Sequence, residues 1–353
     1  MELKNLGFNA FFEKHFEQCQ LENISIGRIC AEYKESYKLF LEKGELRAII
    51  SGKFRNDCNT REKFPSVGDW VLFEYIDNEN KAIIQSILPR RSKFSRKVAG
   101  KETQEQVIAS NVDFAFIVCA LNYDFNLRRI ERYLSLIWQS GATPVVVLTK
   151  TDLCPDVQSK ISEVENIAFG VDIHAISNVS TEGIEALQKY FINDKTIVLL
   201  GSSGVGKSSL INNLTKENIM KTNELRSNIE KGRHTTTHKQ MIILPEGGLI
   251  IDTPGIRELQ LWDAEDGISQ TFNDIEDIAK SCKFNDCKHT NEPGCAVKKA
   301  IKDGLLELNR LENYLKVQKE QEYLTSRQSQ SAAKVEKDKW KAIHKQIKTL
   351  DKR

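Results

Sequence analysis

The run Gly201-Ser202-Ser203-Gly204-Val205-Gly206-Lys207-Ser208 constrains this chain more than any other stretch. It fits G-x-x-x-x-G-K-[ST] and follows the apolar residues 197–200. Such a loop belongs between a strand and a helix. Its glycines let successive backbone N–H groups turn inward toward a β-phosphate, while Lys207 carries a mobile cation across the β- and γ-oxygens. Ser208 offers a hydroxyl to Mg²⁺, and the helix expected over 209–214, opening at Ser209, adds its positive end. Glycine makes up about 7% of ordinary chains, so a chance match in a chain this long is on the order of 1%. The fold must therefore contain an α/β sheet with a nucleotide phosphate site at one edge.

The surrounding pattern supplies that sheet. From Asn111 onward apolar segments at 114–121, 144–148 and 173–177 alternate with helical ones. A helix opening at Asn126 places Leu127, Ile130, Leu134, Ile137 and Trp138 on one face, and Gly141 stops it. Strands alternating with helices predict a parallel, doubly wound sheet. Upstream, short β-rich segments at 24–33, 37–41, 46–51, 69–76 and 81–87 are separated by turn signals, a spacing that suits a small closed barrel. After Thr271 the chain becomes helical and polar. No internal repeat is visible.

Composition sets limits on class. The 353 residues have room for two or three domains, and 40% hydrophobic with 28% charged residues is ordinary for a soluble globular protein. No apolar run approaches the roughly 20 residues of a membrane span, and the first residues lack a signal-peptide pattern, so no membrane partner and a cytoplasmic location are expected. A net charge of +2 does not by itself imply nucleic acid.

Two further elements complete a nucleotide site. Residues 249–252 read as an apolar strand ending in Asp252-Thr253-Pro254-Gly255, where Asp252 can hold Mg²⁺ through water and the Gly255 backbone can bend to meet a γ-phosphate. Between the two motifs, Gly232-Arg233-His234-Thr235-Thr236-Thr237-His238 suits a switch loop, with a threonine such as Thr236 completing the Mg²⁺ shell; an ordinary Ser/Thr loop is the alternative. Base choice rests on Thr149-Lys150-Thr151-Asp152, which closes the strand at 144–148. A carboxylate at Asp152 accepts from guanine N1–H and the 2-amine together, whereas adenine offers no such pair, so GTP is favoured over ATP. Ser177-Asn178 forms the second base loop. The base-reading loop lies upstream of the phosphate loop, the reverse of the usual order.

In that order of motifs, with a barrel before and a Cys/His cluster after, the chain resembles the circularly permuted small ribosomal subunit biogenesis GTPase family over nearly its whole length. The resemblance implies a multidomain protein: an N-terminal all-β OB-fold barrel binding RNA (1–97), a central α/β circularly permuted P-loop GTPase domain (98–265), and a C-terminal α-helical zinc-binding domain with a basic tail (266–353). It implies a GTP hydrolase that binds GTP and GDP and acts with the 30S subunit and 16S rRNA late in maturation, a monomer being expected. A non-catalytic GTP-sensing RNA scaffold and a metabolic ATPase are the alternatives. Two residues depart from the family pattern, Thr149 for the commoner Asn and Asn178 for the usual Ala; both are expected to weaken guanine binding while leaving Asp152 in place. Ile256 stands where many GTPases carry a water-orienting Gln, so His234 is the candidate catalytic residue, a role to which the Gly-Arg-His-Thr-Thr-Thr resemblance also points.

The metal cluster stands on its own spacing. Cys282, Cys287, His289 and Cys295 offer three thiolates and one imidazole within fourteen residues, enough for one closed, structural Zn²⁺ site. The other five cysteines are scattered, which argues against a disulfide framework. Nucleic-acid contact is expected at 90–101, where Arg90, Arg91, Lys93, Arg96, Lys97 and Lys101 surround Phe94 without an acidic residue; the lysine-rich tail suits a solvated helix face equally well.

Overall fold

The structure, a computed structural model, describes residues 2–19, 23–76, 81–97, 105–192, 194–217, 239–252, 265–290, 292–323 and 325–326. A first short helix, α1 (Ala10–Glu17), is capped by the Asn9 side chain, which accepts from the Phe11 amide. Next come β1 (Ser25–Glu32), β2 (Tyr37–Leu41), β3 (Gly44–Ile50), α2 (Gly52–Asp57), β4 (Trp70–Tyr75) and β5 (Lys81–Ile87). They pair in the order β1-β2-β3-β5-β4, and β4 returns to β1, which closes the barrel and leaves it no free edge within that ring. Only β3 and β5 run parallel. Strand β3 alternates between wet and buried positions, as a barrel wall facing water must. Phe8 and Phe12 of the N-terminal segment pack on the fully buried Trp70, with ring centroids 4.9 and 5.8 Å away.

A two-stranded ribbon, β6 (Lys93–Lys97) with β7 (Glu105–Ser110), crosses the expected join at 97/98. The α/β part follows: β8 (Phe114–Ala120), α3 (Leu127–Ser140), β9 (Thr143–Thr149), α4 (Val157–Glu165), β10 (Asp172–Ala175), β11 (Thr196–Leu200), α5 (Lys207–Thr215), β12 (Gln240–Ile243) and β13 (Leu249–Asp252). Its sheet order is β10-β9-β8-β11-β13-β12, parallel except for β12. Strands β8, β9 and β11 are buried almost without interruption, because helices cover both faces of a parallel sheet. From β8 the chain winds outward through β9 and β10, then returns to place β11 and β13 on the other side. The crevice at that reversal, beyond the carboxyl ends of β8 and β11, is where ligands of such sheets bind.

The last described elements are α6 (Glu265–Thr271), α7 (Asn273–Ala279), α8 (Ala296–Lys302) and a helix at 308–323. Helix α6 lies so close to α3 that a Cβ on Gly267 would come within 2.1 Å of the Ser135 carbonyl oxygen. The α3 caps match the sequence: Asn126 accepts from the Arg129 amide, and Gly141 takes a left-handed φ of +83°.

Arg28 ties the barrel to the segment that leads into the sheet, and Arg90 braces the barrel from within. Arg28, 1% exposed, donates to the carbonyls of Gly68 (3.2 Å), Asn111 (3.1 Å) and Leu6, and lies over the Trp70 ring. Burial lowers its pKa to about 10, still charged at neutral pH. Arg90 makes a bidentate pair with the fully buried Asp69 at 2.8 and 2.7 Å and also donates to the carbonyls of Glu62 and Phe64. These pairings revise the reading of 90–101 as a phosphate-contacting stretch. Arg90 is consumed internally, Arg91 reaches Asp113, Lys93 pairs with Glu62 and Glu105, and Phe94 is core at 2% exposure. Arg90, Arg91 and Lys93 of this run are thus paired with acids that the fold brings to them, and Arg96 donates to Gln106 at 3.4 Å; Lys101 and the Lys97 side chain lie outside what the structure describes. Barrel and sheet also touch through one strand pair, Ala31 opposite Gln240, and the Lys239–Glu32 ion pair at 2.7 Å.

Candidate nucleotide site and metal centre

The phosphate loop links β11 to α5 at the sheet's reversal, as its sequence demanded. Its first glycine, Gly201, has φ +146°, and a Cβ there would sit 2.3 Å from the Val118 carbonyl oxygen, so the loop can lie on β8 only because the side chain is absent. The Lys207 ammonium bonds the carbonyls of Gly201 (2.8 Å) and Ser202 (2.6 Å), which folds the side chain back over its own loop. Helix α5 begins at Lys207, two residues earlier than expected, so Ser208 and Ser209 fall in its first turn. Asp252 ends β13, beside β11, which brings its carboxylate to the same edge of the sheet. His234, Thr236 and Gly255 lie outside the described residues, as do the rest of the 232–238 loop and the end of the Asp-x-x-Gly motif.

The loop at 149–152, expected to read the base, comes to the same edge from β9. Lys150 adopts a left-handed φ of +60°, which turns the chain into a 3-10 turn over Thr151–Leu153. The Ser177 hydroxyl donates to the Asp152 carboxylate at 2.7 Å and accepts from the amides of Val179 and Ser180, so the second base loop holds the carboxylate of the first. Gly183 closes that loop with φ +78°; a Cβ there would lie 2.5 Å from the Ala175 carbonyl oxygen. Thr149 is fully buried and donates to the Val205 carbonyl of the phosphate loop at 2.6 Å. Its hydroxyl thereby joins the two motifs that the sequence separates, and the departure from Asn retains a donor.

One functional contact escaped the sequence. Arg129, in the first turn of α3, donates to the Ser202 hydroxyl at 2.5 Å and to Asp124 at 2.7 Å, so the phosphate loop is tied to α3. Two residues further on, Glu131 is fully buried and bonded to Arg128, Arg310 and Asn313. Arg310 also donates to Asp274 and to the Thr271 carbonyl. One helix therefore touches the phosphate loop with one side chain and the C-terminal helices with the next turn.

The four predicted metal ligands meet. Cys282, Cys287, His289 and Cys295 place their ligand atoms within 4.8 Å of one another. His289 Nδ1 lies 3.7 Å from Cys282 Sγ and 3.5 Å from Cys295 Sγ, and the two sulfurs are 3.9 Å apart. Tetrahedral Zn²⁺ with bonds of about 2.3 Å to sulfur and 2.0–2.1 Å to nitrogen requires separations of about 3.8 Å and 3.6 Å, so the cluster fits one zinc. The Ala296 amide donates to Cys282 Sγ and the Lys298 amide to Cys295 Sγ, which fixes where both sulfurs sit in the cluster. Replacing Cys287 with Ser is expected to release zinc and loosen the C-terminal helices, since binding energy at a structural site is also folding energy, while leaving GTP binding largely intact. Metal analysis and near-ultraviolet circular dichroism measure both effects; an intact protein without zinc would refute the assignment.

Comparison with known proteins agrees with this geometry. The sequence profile described as RsgA GTPase matches residues 87–262. Small ribosomal subunit biogenesis GTPase RsgA 1 of Listeria innocua is 44% identical over 99% of this chain and 98% of its own length. RsgA 1 of Oceanobacillus iheyensis is 46% identical over 92% of each. Among solved structures, YjeQ from Thermotoga maritima aligns with a TM-score of 0.61 at 28% identity, covering 83% of this chain and 96% of that one. YloQ, described as a circularly permuted GTPase, aligns at 0.60 and 26% identity, covering 88% and 98%. With the barrel, the reversed motif order and the Cys/His cluster all in place, the chain belongs to the RsgA family of GTPases and is a GTP hydrolase.

Proposed function

We propose that this GTPase serves late maturation of the 30S ribosomal subunit as a cytoplasmic monomer, engaging 16S rRNA while GTP is bound and letting go after hydrolysis to GDP. The observation that carries the proposal is the near full-length match to relatives named for small-subunit biogenesis, which spans the barrel and the C-terminal helices as well as the nucleotide site. A metabolic ATPase would have no need of those flanking parts. On the barrel's outer surface, register places Arg47 opposite both Lys38 and Lys81, a row of cations across three strands in which Lys38 pairs with Glu45.

In this reading Asp152, held by Ser177, selects guanine, with Thr149, Lys150 and Thr151 shaping its loop. The backbone from Gly201 to Gly206 with Lys207 binds the phosphates, the first turn of α5 at Ser208 and Ser209 adds its positive end, and Gly255 meets the γ-phosphate. Mg²⁺, when bound with GTP, neutralises charge on the β- and γ-phosphates. Ser208, Asp252 and Thr236 are the side chains that would hold it, and one structural zinc fills the Cys/His cluster. Ile256 can neither donate nor accept a proton, so His234 orients the attacking water. GTP turnover measured with and without purified 30S subunits tests the proposal, with a clear rise expected on their addition. His234→Ala should leave nucleotide affinity nearly unchanged yet lower stimulated hydrolysis by about 10²-fold or more. Equal turnover with and without the subunit would reject the role; near wild-type turnover in the variant would remove His234 from the chemistry.

A further inference from the structure

Asn178 sits in the second base loop, where its side chain touches both the phosphate loop and α5. Its Nδ2 donates to the Gly206 carbonyl of the phosphate loop at 3.2 Å, and its own carbonyl and Oδ1 accept from Asn213 Nδ2 of α5 at 3.0 and 3.4 Å. The orientation of the amide follows from its partners: the Gly206 carbonyl can only accept, and Asn213 turns its Nδ2 toward Asn178 because the Asn178 main-chain carbonyl can only accept. The fit is close: a Cβ on Gly206, whose φ is +99°, would lie 2.7 Å from Asn178 Nδ2 and 3.8 Å from Thr149 Oγ1. The next residue back along the chain is Ser177, whose hydroxyl holds Asp152.

Thr149 approaches the same glycine loop from β9. A hydroxyl has one proton, and Thr149 gives it to the Val205 carbonyl at 2.6 Å rather than to the more distant Cys119 carbonyl at 3.4 Å. That single donor serves the Val205 carbonyl alone; the adjacent Gly206 carbonyl accepts from the Leu210 amide at 2.9 Å and takes its second hydrogen bond from Asn178. A carboxamide has two donor hydrogens and would bring a second to the same place.

We infer that Asn178 is a positioning residue for guanine recognition, tying the second base loop to the phosphate loop and so supplying the donor that Thr149 lacks. The two departures from the family pattern are then one compensated pair. Asn178 fastens the loop on which Ser177 rides; with the fastening cut, Ser177 no longer aims Asp152 at the base. The inference rests on Asp152 reading guanine, as proposed above.

The test is a cycle of four proteins: wild type, Asn178→Ala, Thr149→Asn and the double variant, each titrated calorimetrically with GDP and with inosine 5′-diphosphate. Hypoxanthine keeps N1–H but lacks the 2-amine, so the ratio of the two affinities reports how well the carboxylate is aimed. Asn178→Ala is expected to weaken GDP binding about tenfold and inosine diphosphate binding less than about threefold, which shrinks the ratio. The double variant should return GDP affinity to within about threefold of wild type. Proportional weakening of both ligands would point to a structural role only and overturn the inference, as would unchanged GDP affinity in Asn178→Ala or a double variant no tighter than that single one. A wild-type ratio near one would overturn the base-reading role of Asp152 and this inference with it, whereas a large wild-type ratio that Asn178→Ala leaves alone overturns only the inference.

Discussion

Asp152→Asn is expected to weaken GTP binding about 10²–10³-fold and to shift preference to xanthosine triphosphate. In the proposed reading the carboxylate accepts from two guanine donors; an amide in its place turns a donor toward them and leaves a desolvated group unpaired. Xanthine carries an oxygen at position 2, which accepts from that same amide. The Ser177 hydroxyl can still donate to the amide oxygen, so the loop geometry is kept and the change isolates base recognition. Competition between the two nucleotides for a fluorescent analogue reads the switch. A variant that still prefers GTP after this substitution would remove Asp152 from base reading.

The second large effect is expected away from the nucleotide. Glu131→Leu removes a carboxylate with no solvent exposure whose oxygens serve Arg128, Arg310 and Asn313. Arg310, 4% exposed, would keep Asp274 but lose the partner on its other side. Breaking a buried pair in this way costs about 3–5 kcal/mol, because the remaining charge has no water to turn to. The loss should appear as faster amide exchange and proteolysis of the C-terminal helices, with the barrel unaffected. Glu131→Leu combined with Arg310→Leu should recover part of it, since neither charge is then stranded. A cost under about 1 kcal/mol for the single variant would show that solvent reaches the pocket.

What could be read from the sequence was what is local in it. The phosphate loop, the Asn126 and Gly141 caps of α3, and the strand segments of the barrel each depend on neighbours a few residues away, and the structure places them within one or two residues of expectation. The Cys/His ligands were legible because a chelate of short loops fixes its own spacing. The illegible contacts join distant segments. Arg129 meets Ser202 across 73 residues and Arg310 meets Glu131 across 179, and nothing near any of the four marks it. Charge runs misled for the same reason: Arg90 reads as a free cation until the fold brings Asp69 against it. Thr149 and Asn178 read separately as losses, and only the Gly206 loop between them shows that they share one task.

The position of β8 between β9 and β11 has a consequence for how the chain is made. In order of synthesis β8, β9 and β10 emerge first and can zip together, but the other side of β8 waits for residues 196–200. Until then an almost wholly apolar strand stands as an open sheet edge, the kind that recruits stray strands. The early closed barrel cannot cover it, since its seam is made with β12, which is translated later still. Reordering the motifs has therefore moved the vulnerable moment of biogenesis to the interval between the base-reading half and the phosphate-binding half, and a pause in translation there would be more hazardous than one on either side.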